Sequence, residues 1–278
     1  MSVYDMITNR ILELLEKGIV PWQRPWSVPM PRNLSTGKDY RGVNILLLSF
    51  TNHKSPYWLT YMQAKDLGGF VRAGEKGLPI VFWKLVNAND DDKPARVVPL
   101  LRYYTVFNVE QCDNITVPEQ SMRDSNPIGD CEAVMEKMPN KPSIQHGGDR
   151  ACYIPSRDSI MIPHRKNFNT VETYYGTLFH EAVHSTGHEN RLSRNAIAEP
   201  HAFGSESYSK EELIAEIGSG FLCGMAGISS NTIQNQVNYI GHWLRKLSDD
   251  KKLIITAASQ AQRACDYILD NMQGKQEL

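Results

Sequence analysis

The stretch Thr177-Leu-Phe-His-Glu-Ala-Val-His-Ser-Thr-Gly-His188 decides the fold of the second half of the chain. It contains the HExxH pattern, with His180 and His184 four residues apart and Glu181 directly after the first of them. Residues at this spacing lie on one face of an α-helix, so both imidazoles can reach the same metal ion. A carboxylate beside the first histidine can accept a proton from water at that metal. The pattern therefore predicts metal-assisted hydrolysis, with Glu181 as the general base.

The neighbouring residues predict that the motif lies on a helix. Asn169 or Thr170 can cap its first turn, and Gly187 stands where a left-handed residue ends a helix. An apolar face precedes the motif and is formed by Tyr174, Tyr175, Leu178 and Phe179. The expected cofactor is a single Zn²⁺, although Mn²⁺ or another divalent metal would also suit such ligands.

A catalytic zinc site needs a third protein ligand. The metzincin pattern would place a third histidine ten residues after the first, but that position is Asn190, which argues against this subclass. A carboxylate from a second helix is the alternative, and residues 209–218 begin with a serine able to cap a helical run. Glu212 and Glu216 share one face of that helix. We expect Glu212 to be the third ligand and Glu216 to orient a ligand histidine, with Glu216 as the alternative ligand.

The composition predicts a soluble globular protein, since 41% of the 278 residues are hydrophobic and 22% are charged. No apolar run approaches the roughly 18–20 residues of a membrane span, and the first residues lack the pattern of a signal peptide. The five cysteines are scattered and never form a CxxC pair, which indicates free thiols in a reducing compartment. We therefore expect a cytoplasmic protein with no membrane partner.

The two halves of the chain differ in charge and in aromatic content. Residues 1–89 carry 11 Lys and Arg against 6 Asp and Glu, whereas the remainder is acidic and the net charge is −1. Four of the five tryptophans lie in the basic part, and such asymmetry indicates two domains with different partners. We predict an α+β protein: a mixed α+β domain over residues 1–120, then a mainly helical zincin-like domain with a small β-sheet over residues 121–278.

Periodicity and turn residues predict most of the elements. The predicted helices span residues 3–17, 60–67, 131–138, 170–187, 209–226, 230–248 and 253–273. The predicted strands span residues 58–60, 79–86, 97–109, 152–154 and 159–162. The last two strands form a hairpin directly before the metal helix, where a peptide could pair with the free strand edge. Residues 43–50 are an apolar run that fits either element.

The basic half combines aromatic rings with Arg and Lys side chains, and residues 21–26 are predicted to be an exposed loop because they contain two prolines. Rings stack bases and basic side chains follow phosphates, a combination typical of binding to single-stranded nucleic acid. Trp58 and Trp83 fit a place in the core equally well. The predicted nucleic-acid-binding residues are Trp22, Arg24, Trp26, Arg32, Lys38, Tyr40, Arg41, Arg72 and Lys76.

Several clusters of residues together carry a family resemblance. They include Tyr40-Arg-Gly-Val-Asn44, Gly74-Glu-Lys-Gly77, His180-Glu-Ala-Val-His184 and Glu211-Glu-Leu-Ile-Ala-Glu216. The chain resembles the ArdC-type antirestriction proteins, and its first half is also similar to the start of the TraC-type plasmid primases. The resemblance implies an N-terminal single-stranded-DNA-binding domain and a C-terminal zincin-like metallopeptidase domain. It also implies carriage on a conjugative plasmid or other bacterial mobile element, and protection of incoming DNA from host restriction.

Two functions stay open at this point. In the first, DNA carries an active zinc peptidase toward an unknown protein substrate, for which a host restriction component is one candidate. In the second, the protein coats DNA and its zinc site is structural or regulatory. For the first function, Tyr174, Tyr175 or His188 is a candidate to stabilise the oxyanion.

Overall fold

The computed structural model describes residues 2–23, 29–88, 96–118, 126–194, 206–228 and 236–271. Helices and small sheets alternate along these residues, which confirms the predicted α+β class. None of the helices within these ranges is both long enough and apolar enough to cross a membrane.

The first half contains a four-stranded sheet. Its strands are β1 (Arg32–Asn33), β2 (Tyr57–Thr60), β4 (Leu78–Ala88) and β5 (Arg96–Asn108). They lie in the order β1-β2-β5-β4, with β3 (Phe70–Val71) and β6 (Cys112–Asp113) paired as a separate ribbon. The antiparallel register of β4 and β5 runs from the Leu78–Val106 pair to the Ala88–Arg96 pair, which confirms the two long predicted strands.

Three helices accompany this sheet: α1 (Val3–Glu16), α2 (Val43–Ser49) and α3 (Tyr61–Asp66). A capping box begins each of α1 and α3. The side chain of the capping residue accepts from the backbone N–H three positions later, and the side chain at that later position accepts from the backbone N–H of the capping residue. The apolar run of uncertain type is the helix α2, and nearly all of its side chains are buried. A strand would have exposed every second one of them.

The second half is mainly helical. Its helices are α4 (Pro127–Lys137), α5 (Val171–Ser185), α6 (Glu206–Ala226), α7 (Gln236–Asp249) and α8 (Leu253–Ile268). The predicted hairpin is present as β8 (Cys152–Ile154) and β9 (Ser159–Ile162). A strand that was not predicted, β7 (Ser143–His146), pairs in parallel with β9 and leaves β8 as an outer strand of the sheet order β7-β9-β8.

One hydrophobic core extends across both halves of the chain. It joins Ile7, Ile11 and Leu15 of α1 to the buried faces of α5, α6 and α8. Polar contacts reinforce this junction, since Arg41 forms an ion pair with Asp266 and the Thr8 hydroxyl donates to the Lys251 carbonyl. The predicted boundary at residues 120 and 121 lies outside the described residues. The helices α1 and α2 therefore pack directly against the scaffold that carries the HExxH motif.

Candidate functional site

The helix α5 carries the HExxH motif and begins at the Thr170 cap, whose hydroxyl accepts from the Thr173 backbone N–H. Its C-terminal end differs from the prediction, because Gly187 is not among the glycines with positive φ. The chain leaves the helix through tight turns instead, in which Gly187 N–H donates to the His184 carbonyl and His188 N–H to the Ser185 carbonyl. The prediction of a left-handed stop at Gly187 is wrong.

Close packing of α5 against α6 fixes the relative positions of their polar side chains. Gly218 of α6 faces Val183 of α5, and a Cβ at Gly218 would lie only 2.8 Å from a Val183 methyl group. The Ser219 hydroxyl also donates to the Gly176 carbonyl at 2.8 Å. These contacts hold the two helices at the separation needed to bring side chains from both into one cluster.

That cluster consists of His180, His184 and Glu212, whose nearest donor atoms all lie within 4.8 Å of one another. The two Nε2 atoms are 3.0 Å apart, and each lies 3.5 Å from an oxygen of Glu212. Two ligands bound at about 2.1 Å in tetrahedral geometry would be separated by roughly 3.4 Å. The three separations are close to this value, so the donor set fits one divalent cation.

A buried network orients His184. Its Nδ1 lies 3.3 Å from Glu211 Oε1, and Arg194 donates to both oxygens of Glu211 at 2.7 and 3.0 Å. A carboxylate on Nδ1–H leaves the Nε2 lone pair directed into the cluster. Glu216 was predicted to have this orienting role, whereas Glu211 was not predicted to belong to the site. Adjacent helical residues point about 100° apart, so Glu212 faces the cluster while Glu211 faces the core.

Glu216 lies beside His180, but its carboxylate is not among the converging donor atoms. It is half-buried and accepts from the Tyr239 hydroxyl, and its pKa is raised because burial disfavours the charged form. Its negative charge also favours the protonated form of His180. Glu216 therefore acts on His180 electrostatically in this arrangement.

The cluster has a negative electrostatic environment. Burial lowers the pKa of His180, but the hydrogen bond to Glu212 and the charges of Glu216 and Glu181 together raise it to about 9. Burial conversely raises the pKa of Glu212, and its contacts with His180 and His184 bring it down to about 2. Carboxylates thus outnumber imidazoles in a poorly hydrated site, which favours binding of a cation.

Glu181 of α5 is hydrogen-bonded to the outer strand β8, and the residue is only 8% exposed. Glu181 Oε2 accepts from the Tyr153 backbone N–H at 2.7 Å. The Tyr153 hydroxyl donates to Asp158, which is bonded to Arg191, and Arg191 donates to the Ser185 carbonyl at the end of α5. The candidate general base is therefore fixed between the motif helix and a strand edge.

Tyr208 is a further residue of this site that the sequence analysis missed. Its hydroxyl bonds to Glu212, and its pKa is raised to about 12, first by burial and then by the nearby charges of Glu212 and Glu181. The oxyanion candidates Tyr174 and Tyr175 instead bond to His146 and Glu132. Tyr208 precedes Glu212 by one helical turn, and this spacing was the signal that could have revealed it.

The structure contradicts the predicted exposure of Trp22. Its side chain is 1% exposed, and its indole N–H donates to the Tyr239 hydroxyl at 2.7 Å. Its ring also makes an edge contact with Trp243. A ring enclosed by the second half of the chain is not available to stack on a base, so the assignment of Trp22 to nucleic-acid binding is wrong.

The other predicted DNA contacts are scattered. Arg24 and Trp26 lie outside the described residues, and Lys38 and Lys76 are exposed. Three guanidinium groups already have carboxylate partners: Arg32 pairs with Asp39, Arg41 with Asp266, and Arg72 with Glu75 and Asp113. Tyr40 is half-buried, packs against a small core cluster and accepts a hydrogen bond from Asn33.

Exposed aromatic residues that the sequence analysis missed lie elsewhere in the first half. Tyr103 and Tyr104 of β5 are 52% and 56% exposed, and Arg102 beside them is also exposed. Tyr104 stacks on Phe82 of β4, with ring centroids 4.6 Å apart and planes within 3° of parallel. Tyr61 at the start of α3 is likewise exposed. The run Arg102-Tyr103-Tyr104 was the available signal in the sequence.

Comparison with known proteins connects these two halves to one family. Residues 1–107 match the family described as the N-terminal domain of anti-restriction factor ArdC, and residues 130–260 match the zincin-like metallopeptidase family. Crystal structures of the antirestriction ArdC protein from the R388 plasmid align with a TM-score of 0.79. The metal-free structure is 36% identical to this chain, and the alignment covers 98% of each chain. The Mn(II)-bound structure is 37% identical, and the alignment covers 99% of this chain and 100% of the other. This chain belongs to the ArdC antirestriction family.

Relatives of this ArdC-family chain include longer proteins. It is 37% and 35% identical to two DNA primases named TraC from Escherichia coli, over 96% of its own length in both cases. The chain spans only 27% and 20% of those two proteins. The uncharacterized protein y4eC of Sinorhizobium fredii is 34% identical, with 96% of this chain and 91% of that protein covered. The ArdC fold thus also occurs as one part of larger proteins.

Proposed function

We propose that this ArdC-family protein is a metallopeptidase that binds single-stranded DNA and protects the incoming DNA of a mobile element from host restriction. The observation that carries the peptidase part is the convergence of His180, His184 and Glu212 beside Glu181 and a strand edge. The proposed protein substrate is a component of host restriction.

The proposed ligands are His180, His184 and Glu212, with Zn²⁺ as the expected ion and Mn²⁺ as the alternative supported by the Mn(II)-bound relative. A bound divalent ion would act there as a Lewis acid that polarises a peptide carbonyl and activates water. Support comes from the near-tetrahedral separations of the donor atoms and from the orientation of His184 by Glu211.

The residues of the chain would act as follows. A peptide pairs with the outer strand β8 and so presents its backbone to the α5–α6 groove. Glu181 accepts a proton from the attacking water and passes it to the leaving amine. The Tyr208 hydroxyl, beside Glu212 and near Glu181, donates to the oxygen that becomes negative in the transition state.

The DNA-binding part rests on the basic charge of the first half and on its exposed rings. Single-stranded DNA would stack on Tyr104, while Arg102 on the same face of β5 contacts phosphates together with Lys38 and Lys76. Arg32 and Arg72 can also contact phosphates by releasing their carboxylate partners, because an exposed ion pair contributes only about 0–1 kcal/mol to the stability of the fold.

The decisive test of the peptidase part is Glu181→Gln, with Glu172→Gln at an exposed position on the same helix as the control. Both proteins should bind metal, but only the control should protect conjugated DNA in a restricting host. Comparison of the host proteins in the two strains would reveal the substrate. Full protection by Glu181→Gln would remove peptide cleavage from the mechanism and leave a DNA-coating protein with a structural or regulatory metal site.

Binding of DNA is tested separately by gel shift with an unpaired 40-mer oligonucleotide at about 50 mM salt, where phosphate contacts are strongest. We expect a shift that weakens steeply as salt is raised. Absence of a shift at the low salt concentration would overturn the DNA-binding part.

A further inference from the structure

A short segment of the first half enters the second half next to the metal site. Trp22 is enclosed there, and its indole N–H donates to Tyr239 of α7. Gly220 of α6 allows this approach, because a Cβ at that position would collide with the Trp22 carbonyl oxygen. The backbone at residues 22–23 is thereby held directly against the helix that carries Glu212.

The same segment forms one wall of a cavity of about 140 Å³. Trp22 and Gln23 line it on one side, and Thr177 and His180 of α5 and Glu216 of α6 line it on the others. Because His180 is a proposed metal ligand, a substrate carbonyl at the metal would place a neighbouring side chain at the mouth of this cavity. Both halves of the chain therefore build the pocket.

Two polar groups in this cavity have unused hydrogen-bonding capacity. Among the described residues, the buried Nε2 of Gln23 has no acceptor within 3.5 Å in good geometry, and the Gln23 amide acts on Glu216 only as a weak donor that favours the charged carboxylate. The Glu216 carboxylate accepts from Tyr239 and retains further lone pairs. The hydroxyl of Thr177 is already used, since it donates to the Thr173 carbonyl at 2.9 Å. A buried donor without a partner is rare in native proteins, and an acceptor on a bound ligand would satisfy it.

The chemistry of these groups selects one class of side chain. An apolar side chain would leave the Gln23 donor unpaired, and a carboxylate would be repelled by the charged Glu212. A lysine or arginine would offer no acceptor to Gln23 and would lie beside a divalent ion. A primary amide presents a carbonyl oxygen to Gln23 Nε2 and an NH₂ group to Glu216, so it satisfies both.

We propose that Gln23 and Glu216 form a subsite that selects an asparagine or glutamine side chain next to the cleaved bond of a peptide substrate. This inference rests on the proposed peptidase function, and it assigns part of the substrate specificity to the first half of the chain. Gln23 is the specificity-determining residue, and Trp22 and Gly220 are the positioning residues that hold it in place.

The test uses the full-length protein loaded with Mn²⁺ and a series of peptidyl hydroxamates, which chelate the metal and differ only in the adjacent side chain. The side chains are carboxamide, isobutyl, carboxylate and aminobutyl, and acetohydroxamate serves as the probe without a side chain. We expect calorimetry to show that the carboxamide probe binds about 10-fold tighter than the isobutyl probe, as one hydrogen bond to a buried donor implies.

Two variants at position 23 separate the subsite from effects on folding. Gln23→Leu should abolish the preference for carboxamide, and Gln23→Glu, which retains size and polarity, should transfer it to the aminobutyl probe. Binding of acetohydroxamate by each variant shows that its metal site has formed, and the preference is then measured as the ratio of two probe affinities within one protein. An unchanged carboxamide preference in both variants, or a wild-type preference for another probe, would overturn the subsite alone. Failure of the wild type to bind acetohydroxamate would overturn the metal site and the subsite together.

Discussion

The α5–α6 groove and the exposed surfaces of the β4–β5 hairpin hold their polar and aromatic side chains in opposite ways. Beside the groove, His184 is bonded to Glu211 and Glu211 to Arg194, and all three side chains are buried. On the hairpin, Tyr103 and Tyr104 are more than half exposed. The groove is therefore built to hold atoms at fixed separations, whereas the hairpin offers surfaces to a partner that can adjust.

This difference sets the size of the response to mutation. Removal of one partner from a buried ion pair costs about 3–5 kcal/mol, because the remaining charge is left without compensation. Removal of an exposed partner costs about 0–1 kcal/mol. We expect substitutions in the groove to abolish a property and substitutions on the hairpin to weaken binding in steps.

The largest effect is expected for His184→Ala, which removes a proposed ligand. Metal affinity should fall by much more than the roughly 10–100-fold that loss of an outer partner costs. The matched control is His188→Ala, four residues further along and outside the donor cluster. Calorimetric titration with Mn²⁺ and Zn²⁺ measures both variants. Similar metal affinity in the two variants would contradict the assigned ligand set.

Tyr208→Phe should have the next largest effect, which is on the rate of cleavage. The variant removes only the hydroxyl next to Glu212 and leaves the ring in place. Loss of one donor to a developing oxyanion lowers kcat by about 100–1,000-fold. We expect kcat on a cleaved peptide to fall while KM changes little. A rise in KM at constant kcat would instead show that Tyr208 contributes to substrate binding in the ground state.

Glu211→Gln should lower metal affinity by about 10–100-fold, since the orientation of His184 depends on this carboxylate. The variant should also be less stable, because Arg194 keeps its charge in a buried position without a counterion. Metal titration and thermal unfolding of the metal-free protein measure the two effects. An unchanged melting temperature would contradict the role of the buried pair.

Tyr104→Ala should have the smallest effect and sharpen the contrast with the groove. Loss of one stacked base costs about 1–3 kcal/mol, so affinity for single-stranded DNA should fall in a graded way.

Lys76→Ala should instead reduce the slope of log affinity against log salt by roughly 0.7–1. Fluorescence anisotropy over a salt series distinguishes the two. Abolished binding by Tyr104→Ala alone would show that the hairpin acts like a fixed site.

The contrast also explains which features could be predicted from sequence. The spacing of His180 and His184 is local, so the helical period alone brings their rings together. Glu212 belongs to a different helix, yet the same helical period limits the choice of third metal ligand to two carboxylates on one face of that helix. Glu211 was missed because its role depends on Arg194, whose contact with it arises only in the folded chain.

Burial at a distance was the main feature that local sequence did not reveal. Trp22 lies among prolines and basic residues, a composition typical of an exposed loop, but its hydrogen-bond partner Tyr239 is 217 positions further along. The strand β7 was missed for a related reason, because its partner β9 is not adjacent in the chain. The short, largely exposed sequence of β7 has no strong period of its own.

The fit of Trp22 against Gly220 has a consequence for how such proteins can change by recombination. An exchange near the middle of the chain would join a new segment at residues 21–23 to an old α6. The hybrid would tolerate the exchange only if its residue at position 220 left room for the incoming backbone. We therefore expect the two halves to be inherited as a matched pair, even though each corresponds to a separate family in comparison with other proteins.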